Sequence, residues 1–269
     1  MKLSAEYFIA INAIIAASKV IQKSYNDEFN VEIKADGSPV TNADIESSKI
    51  IEKELIKTHI PITGEETIKE RFKERKKWKK HWCVDPLDGT KEFVRRNGEF
   101  AVNIALIENQ KPVFGLIASP LEEKVLFGEK KLGAFVFSFK EALNPKKWKK
   151  IMPKEYLNKP LNVIYSRNYY SPGMDAFIDE LKAKYGEPNF IKKGSSLKFF
   201  DLALGKADVY PRFAPTMEWD IASGQAILNA LGGEVIHAET KKPLIYNKEN
   251  LKNPSFIART KAILNNLDA

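Results

Sequence analysis

Cys83-Val84-Asp85-Pro86-Leu87-Asp88-Gly89-Thr90 closes an apolar run with two acids, a proline between them and an Asp-Gly-Thr turn. Carboxylates beside Val84 and Leu87 are costly to bury unless a cation offsets their charge. The Pro86 ring fixes the backbone between the acids, so that Asp85, Asp88 and the Leu87 carbonyl can face one ion. Gly89 and Thr90 then open a turn or helix whose N–H groups can hold a phosphate oxygen, and the Thr90 hydroxyl can orient a water. Alone, the hexapeptide reads equally well as a turn, because Asp-Gly and Pro are common turn formers.

Two other segments repeat the pattern. Ile60-Pro61-Ile62-Thr63-Gly64-Glu65-Glu66 ends an apolar run with paired acids, and Met217-Glu218-Trp219-Asp220 opens a helix with another pair. Oxygen ligands without histidine suit Mg²⁺, which typically takes one or two carboxylates plus waters and substrate phosphate. His59, His81 and His237 lie far apart, and with the single Cys83 no Cys/His spacing suggests zinc. One thiol cannot form an intramolecular disulfide, which fits a reducing cytosol.

Farther from the acids, residues 5–24 read as a helix with Leu3, Phe8, Ile11, Ile15 and Ile21 near one face. Lys2 and the apolar run from Tyr7 to Ala17 faintly resemble a signal peptide, but Glu6 interrupts it, and an amphipathic helix is the better reading. No apolar run approaches the roughly twenty residues of a membrane span. A second helix is expected over Asp44 to Lys57, with Thr41 at its start. From Trp82 to Val136 short β-rich runs separated by turn residues imply antiparallel meanders: Trp82–Val84, Ala101–Ile107, Val113–Ala118, Lys124–Phe127 and Ala134–Phe137.

After Pro160 the pattern alternates. Leu161–Tyr165 reads as a strand, Asp175–Lys184 and Leu197–Leu204 as helices, and Ala207–Tyr210 as a strand. Ile221–Leu231 reads as a helix and Glu234–Ile236 as a strand. Alternation of this kind argues for βαβ units and a mostly parallel sheet. The fold class is therefore α/β. An α+β half (1–155) with an antiparallel sheet carries most of the metal ligands, and an α/β half (156–269) completes the metal site and the substrate pocket.

The chain has 269 residues and a net charge of +8, enough length for a substantial core and a positive field that would attract phosphate esters. Its lysines concentrate in Lys69 to Lys80 and Lys146 to Lys150. These runs read as solvated surface in preference to a nucleic-acid or membrane site, because charge runs alone are weak evidence. A basic nucleic-acid-binding protein would explain the lysines but not five acids at strand ends and helix starts.

Taken together, Asp44, Glu65-Glu66, Asp85 to Thr90 and Trp219-Asp220, with eleven residues (Ile221 to Leu231) before Gly232-Gly233, resemble the lithium-sensitive, Mg²⁺-dependent phosphatases of the inositol monophosphatase and fructose bisphosphatase superfamily. The resemblance spans nearly the whole chain and implies a layered α/β/α/β/α sandwich. It implies metal ligation by Glu65, Asp85, the Leu87 carbonyl, Asp88 and Asp220, with Asp44 and Thr90 activating water and Glu65 assisting catalysis. A haloacid-dehalogenase-type phosphatase is excluded, because Pro86 stands where its nucleophilic Asp would be.

Further segments are similar to the CysQ-type 3′(2′),5′-bisphosphate nucleotidases. They are Asp36 to Thr41, Lys91-Glu92-Phe93 with Arg96 to Phe100, Gly194 to Phe199, Tyr210-Pro211-Arg212 and Tyr246 to Glu249. Tyr165-Ser166-Arg167 fits less well, because Asn168-Tyr169-Tyr170 follow where the family often has Ser-His. A bisphosphate carries a second anion away from the metals, and Arg167, Lys198 at a Gly-Ser-Ser helix start and Arg212 are cations suited to it. The resemblance thus implies substrate contacts from Glu65, Leu87, Asp88, Gly89, Thr90, Arg167, Gly194, Ser195, Ser196, Lys198, Arg212 and Asp220. It also implies two or three Mg²⁺ ions, with Mn²⁺ substituting and Li⁺ and Ca²⁺ inhibiting. The substrate is expected to be adenosine 3′,5′-bisphosphate (PAP) or its sulfated form (PAPS), with inositol monophosphate as the alternative. A cytoplasmic monomer or homodimer, at most peripheral on a membrane and without nucleic acid, completes the expectation.

Overall fold

The computed structural model describes residues 3–35, 37–67, 69–167 and 172–266. Lys2, Asp36 and Asn168-Tyr169-Tyr170 of the sequence reading lie outside the described residues. In chain order the elements are α1 (Ala5–Asn26), β1 (Val31–Ile33), β2 (Pro39–Thr41), α2 (Asn42–Leu55), β3 (Ile62–Gly64), α3 (Phe72–Arg75), β4 (Lys80–Asp88) and α4 (Thr90–Val94). The meander follows: β5 (Ala101–Glu108), β6 (Lys111–Ser119), β7 (Lys124–Glu129), β8 (Gly133–Ser138) and β9 (Lys149–Ile151). The remainder is β10 (Asn162–Ser166), α5 (Pro172–Tyr185), β11 (Asn189–Lys193), α6 (Lys198–Ala203), β12 (Val209–Arg212), α7 (Glu218–Ala230), β13 (Glu234–His237), β14 (Phe256–Arg259) and α8 (Lys261–Leu264).

Strands β3 to β9 form a seven-stranded sheet in sequential order, antiparallel except for the β3/β4 pair. Alternation decides its two faces. Val84, Ile104, Leu116 and Phe127 point to a core shared with α1 and α2, whereas Cys83, Ala105, Ile117 and Leu126 point to the opposite one. That opposite core also contains Ile221, Ala222, Ile227 and Leu228 of α7 and Tyr210 and Ala258 of a second sheet. The second sheet runs β11-β10-β12-β14-β13, and α5 covers its far face through Met174, Ile178 and Leu181. The result is the layered α/β/α/β/α arrangement expected from the sequence.

The second sheet is mixed, not mostly parallel: β10 runs parallel to β11 and β12, but β14 pairs antiparallel with both β12 and β13. No helix lies between β13 and β14, so the chain returns beside β13 in the opposite direction, as a connection without a crossover does. The sequence reading lacked β14, and also β11, whose Asn-Phe-Ile-Lys-Lys is too polar to stand out as a strand.

Helix α1 is, at 22 residues, long and apolar enough by composition to cross a membrane, contrary to the reading that no run approaches that length. Here Ala10, Ile11, Ala13, Ile14, Ala17 and Ile21 are fully buried in the core at helical spacing.

The lysine-rich run 69–80 holds the short α3 and the first residue of β4, and it is not uniformly solvated. Arg75 is 3% exposed; it donates to Asn247 Oδ1 (2.8 Å) and to the Lys248 carbonyl (3.2 Å). Glu218, at the first turn of α7, accepts from the Asn247 and Lys248 N–H groups (2.6 and 3.1 Å) and from Lys248 Nζ (2.6 Å). Tyr246 to Glu249 thereby brace the start of α7.

His81 on β4 is buried near Trp78 and its Nε2 makes no hydrogen bond. Burial, with the Arg75 charge second, lowers its imidazole from 6.5 to about 4. The unfolded chain therefore binds this proton more tightly, so the stabilisation is complete above pH 6.5 and is lost as pH falls toward 4. Its size is about 3 kcal/mol. A His81→Leu variant is expected to lose that part of the acid limb, giving a flatter stability-versus-pH curve between pH 6.5 and 4 in urea titrations.

Candidate active site

A cleft of about 620 Å³ opens beside the ends of β3, β4 and β10 and the start of α7. Each wall is set by local chemistry. Gly64 lets β3 lie against β4, since a Cβ there would fall 2.3 Å from the Val84 carbonyl oxygen. That approach places Glu65, whose N–H donates to Val84 O (3.2 Å), next to the Asp85 strand end. Pairing of β4 with β5 is interrupted between Asp85 and Asp88, and this irregularity accommodates Pro86 and turns the second acid toward the cleft.

Two acids sit at the third position of a helix and accept its opening N–H. Asp44 Oδ2 accepts from the Thr41 N–H (2.8 Å) and the Thr41 hydroxyl (2.6 Å), and Asp220 Oδ2 accepts from the Met217 N–H (2.9 Å). Such caps stabilise α2 and α7 and hold both carboxylates in one rotamer. The other Asp44 oxygen accepts from the Thr90 hydroxyl (2.9 Å), which also contacts the Leu87 carbonyl (3.2 Å). Asp44 lies buried behind Thr90 and does not line the cleft itself.

Glu65, Asp85, Leu87, Asp88, Gly89, Thr90 and Asp220 all line the cleft. Asp85 is 1% exposed, and its carboxyl is pushed well above the usual range by burial, then by the charges of Glu65, Asp88 and Asp220. Asp220 is raised by burial and by Asp88, Glu65 is raised chiefly by burial, and Asp44 likewise. Glu65, Asp85, Asp88 and Asp220, with the Leu87 carbonyl and no nitrogen or sulfur donor, are a donor set fitted to hard divalent cations. Among the described residues no three His, Cys, Asp or Glu side chains converge on one ion-sized point as they stand. Their oxygens have protein partners instead: Lys34 Nζ bridges Glu65 (2.9 Å) and Glu66, the Leu87 N–H donates to Asp85 (3.1 Å), and the Ser196 N–H and Asn103 Nδ2 donate to Asp88.

Arg167, Gly194, Ser195, Ser196, Lys198 and Arg212 line the same cleft. Gly194 has no room for a Cβ, which would lie 2.8 Å from Glu92 Cγ and 2.9 Å from Glu99 Cβ. Lys198 is only 3% exposed; its ammonium donates to the Ser195 carbonyl and lies 5.0 Å from the Tyr210 ring centroid. Arg212 is buried and donates to the Ala214 and Pro215 carbonyls (both 3.1 Å), shaping the turn before α7. Arg167 forms a two-pronged ion pair with Glu99 (2.9 and 2.6 Å).

The sequence reading missed Lys34, Lys69 and Trp219 as cleft residues. Lys69 donates to the Glu65 carbonyl (2.8 Å) and sits over the Trp219 ring, 5.0 Å from its centroid. Nothing in the run around Lys69 separates it from its solvated neighbours, and Lys34 belongs to no motif; the Lys34 contacts with Glu65 and Glu66 and the Lys69 contact with Trp219 arise from tertiary packing.

Comparison with known proteins agrees with this architecture. The 3′(2′),5′-bisphosphate nucleotidase CysQ of Shigella flexneri is 40% identical over 237 residues, 85% of this chain and 88% of that protein. The crystal structure of CysQ from Bacteroides thetaiotaomicron, described as a bacterial member of the inositol monophosphatase family, is 41% identical and superposes with a TM-score of 0.83, covering 94% of this chain and 96% of that one. The extragenic suppressor protein suhB from Bartonella henselae is 26% identical with a TM-score of 0.76, covering 97% and 95%. With residues 2–267 matching the Inositol monophosphatase family, this chain belongs to that family of metal-dependent phosphatases.

Proposed function

We propose that this chain is a Mg²⁺-dependent 3′(2′),5′-bisphosphate nucleotidase that removes the 3′-phosphate of PAP, and of PAPS, to give AMP or its sulfated form and inorganic phosphate. The observation that carries the reading is that one cleft is lined both by the acids Glu65, Asp85, Asp88 and Asp220 and by Arg167, buried Lys198 and buried Arg212. A space of about 620 Å³ suits a nucleotide-sized ligand. The CysQ relatives carry a nucleotidase name at about 40% identity, which supports the same substrate.

In this reading Glu65, Asp85, the Leu87 carbonyl, Asp88 and Asp220 hold two or three Mg²⁺ ions, with Mn²⁺ as a substitute and Li⁺ and Ca²⁺ as inhibitors. Bound Mg²⁺ supplies Lewis-acid activation of water and charge compensation for the transferring phosphoryl group. Asp44 takes the proton of the attacking water through the Thr90 hydroxyl, which donates to Asp44 and orients the water, and Glu65 assists. The Gly89 and Thr90 N–H groups receive a 3′-phosphate oxygen. The Gly194–Ser196 loop, Lys198, Arg212 and Arg167 take the nucleoside and its 5′-phosphate. Residues 1–155 and 156–269 are the two halves on either side of the substrate, in a cytoplasmic monomer or homodimer that is at most peripheral on a membrane.

Product identity tests the reading: the protein incubated with PAP and Mg²⁺ should yield 5′-AMP and one phosphate, resolved by chromatography. Accumulation of 3′-AMP would mean the substrate lies in the cleft the other way round.

A further inference from the structure

Glu99 belongs to the Arg96–Phe100 segment, yet neither the metal site nor the water-activating pair uses it. Its carboxylate is the meeting point of two walls of the cleft. Arg167 Nε donates to Oε2 (2.9 Å) and Arg167 Nη2 to Oε1 (2.6 Å), while the Gly194 N–H donates to Oε2 (2.7 Å). The turn beneath it is fixed, because Gly98 adopts a φ of 79° and the Glu99 N–H donates to Asn97 Oδ1 (2.9 Å).

The arrangement contributes little to stability. Arg167 has a side chain that is 42% exposed, and a solvated ion pair contributes roughly 0–1 kcal/mol. What it supplies is orientation. A guanidinium carries five N–H donors in a rigid fork, and Glu99 engages two of them, fixing the plane in which the rest can meet a phosphate. The same carboxylate anchors Gly194, and two residues on the Ser196 N–H reaches Asp88 while its hydroxyl donates to Asn103 (2.7 Å). Glu99 thus sets the spacing between the second-phosphate cation and Asp88.

We propose that Glu99 is a positioning residue for substrate choice, holding Arg167 and the Gly194 amide so that the enzyme prefers esters bearing a second phosphate. The proposal rests on the nucleotidase reading above. Adenosine 3′-monophosphate, which lacks the second phosphate, separates its role from a general structural one.

The experiment compares KM and kcat for PAP and for adenosine 3′-monophosphate in the wild-type protein, Glu99→Gln, Glu99→Asp and Arg167→Met, with Mg²⁺ present and melting temperatures recorded. Glu99→Gln is expected to raise KM for PAP about tenfold with kcat nearly unchanged, and to leave the monophosphate kinetics as they were. Glu99→Asp should recover part of the loss, and Arg167→Met should reproduce the Glu99→Gln phenotype. Equal effects on both substrates, or no rise in KM, would overturn the role of Glu99. A wild-type protein without any preference for PAP over the monophosphate would overturn the nucleotidase reading itself, and the proposal with it.

Discussion

Asp85→Asn is expected to lower kcat/KM for the phosphate ester by on the order of 10³-fold or more, the scale at which removing one charge-stabilising group acts. The same substitution should raise the melting temperature of the metal-free protein by about 2–4 °C, the shift produced by roughly 1 kcal/mol in a domain of this size. These opposite signs share one cause. The Asp85 carboxyl is held well above its unfolded value by burial first and then by Glu65, Asp88 and Asp220. A carboxyl raised in this way favours the fold only below its unfolded value, and its contribution is lost as pH rises through the folded one. At neutral pH its charge therefore opposes folding until a cation offsets it. Asparagine removes the charge and keeps an oxygen for the Leu87 N–H that now donates to Oδ1. Calorimetry with chelator and with Mg²⁺, beside a phosphate-release assay, checks both halves. Wild-type Mg²⁺ stabilisation should vanish in the variant, whereas near-normal turnover would remove Asp85 from the metal site.

Asp44→Asn should instead lower kcat by on the order of 10²–10⁴-fold, the range for losing a positioned base, while leaving Mg²⁺ stabilisation in place. Burial raises the Asp44 carboxyl despite the Thr41 and Thr90 hydrogen bonds that lower it, which makes it a stronger base than a solvated aspartate. Because the base must be ionised, kcat should fall on the acid side with a midpoint above the ordinary carboxylate value. The asparagine amide would also turn a donor toward the Thr41 N–H and hydroxyl or toward the Thr90 hydroxyl, all of which now donate to this side chain, so a modest loss of α2 capping accompanies the kinetic effect. Retained Mg²⁺ stabilisation with lost turnover separates Asp44 from Asp85; loss of both would make Asp44 a ligand, not a base.

The acids of the cleft were legible in the sequence because strand ends and helix starts are local features. Asp85 to Thr90 lie on one strand-turn-helix unit, and Asp44 and Asp220 are capping residues whose place follows from the helix start. The meander from Trp82 to Val136 was legible for the same reason, since alternation and turns decide it locally. The second sheet was less so: β11 is polar and β14 follows a helix-free return, so neither announces itself by period, and the sheet was misread as mostly parallel. Lys34 reaches Glu65 and Glu66 from a distant segment, Lys69 lies four residues beyond Glu65, and neither could be told from other surface lysines. Arg167 was identified as a cation, but its partner Glu99 lies 68 residues away and only the folded chain brings them together.

The central claim is that the acid cluster and the cationic wall form one site for a bisphosphorylated nucleotide. The direct measurement is kcat/KM for phosphate release from PAP, inositol 1-phosphate and fructose 1,6-bisphosphate, with Mg²⁺ and with chelator. The account predicts fast release from PAP that needs Mg²⁺ and at least tenfold weaker activity on the other two. A preference for inositol 1-phosphate would keep the acids as a metal site and contradict the roles given to Arg167, Lys198 and Arg212.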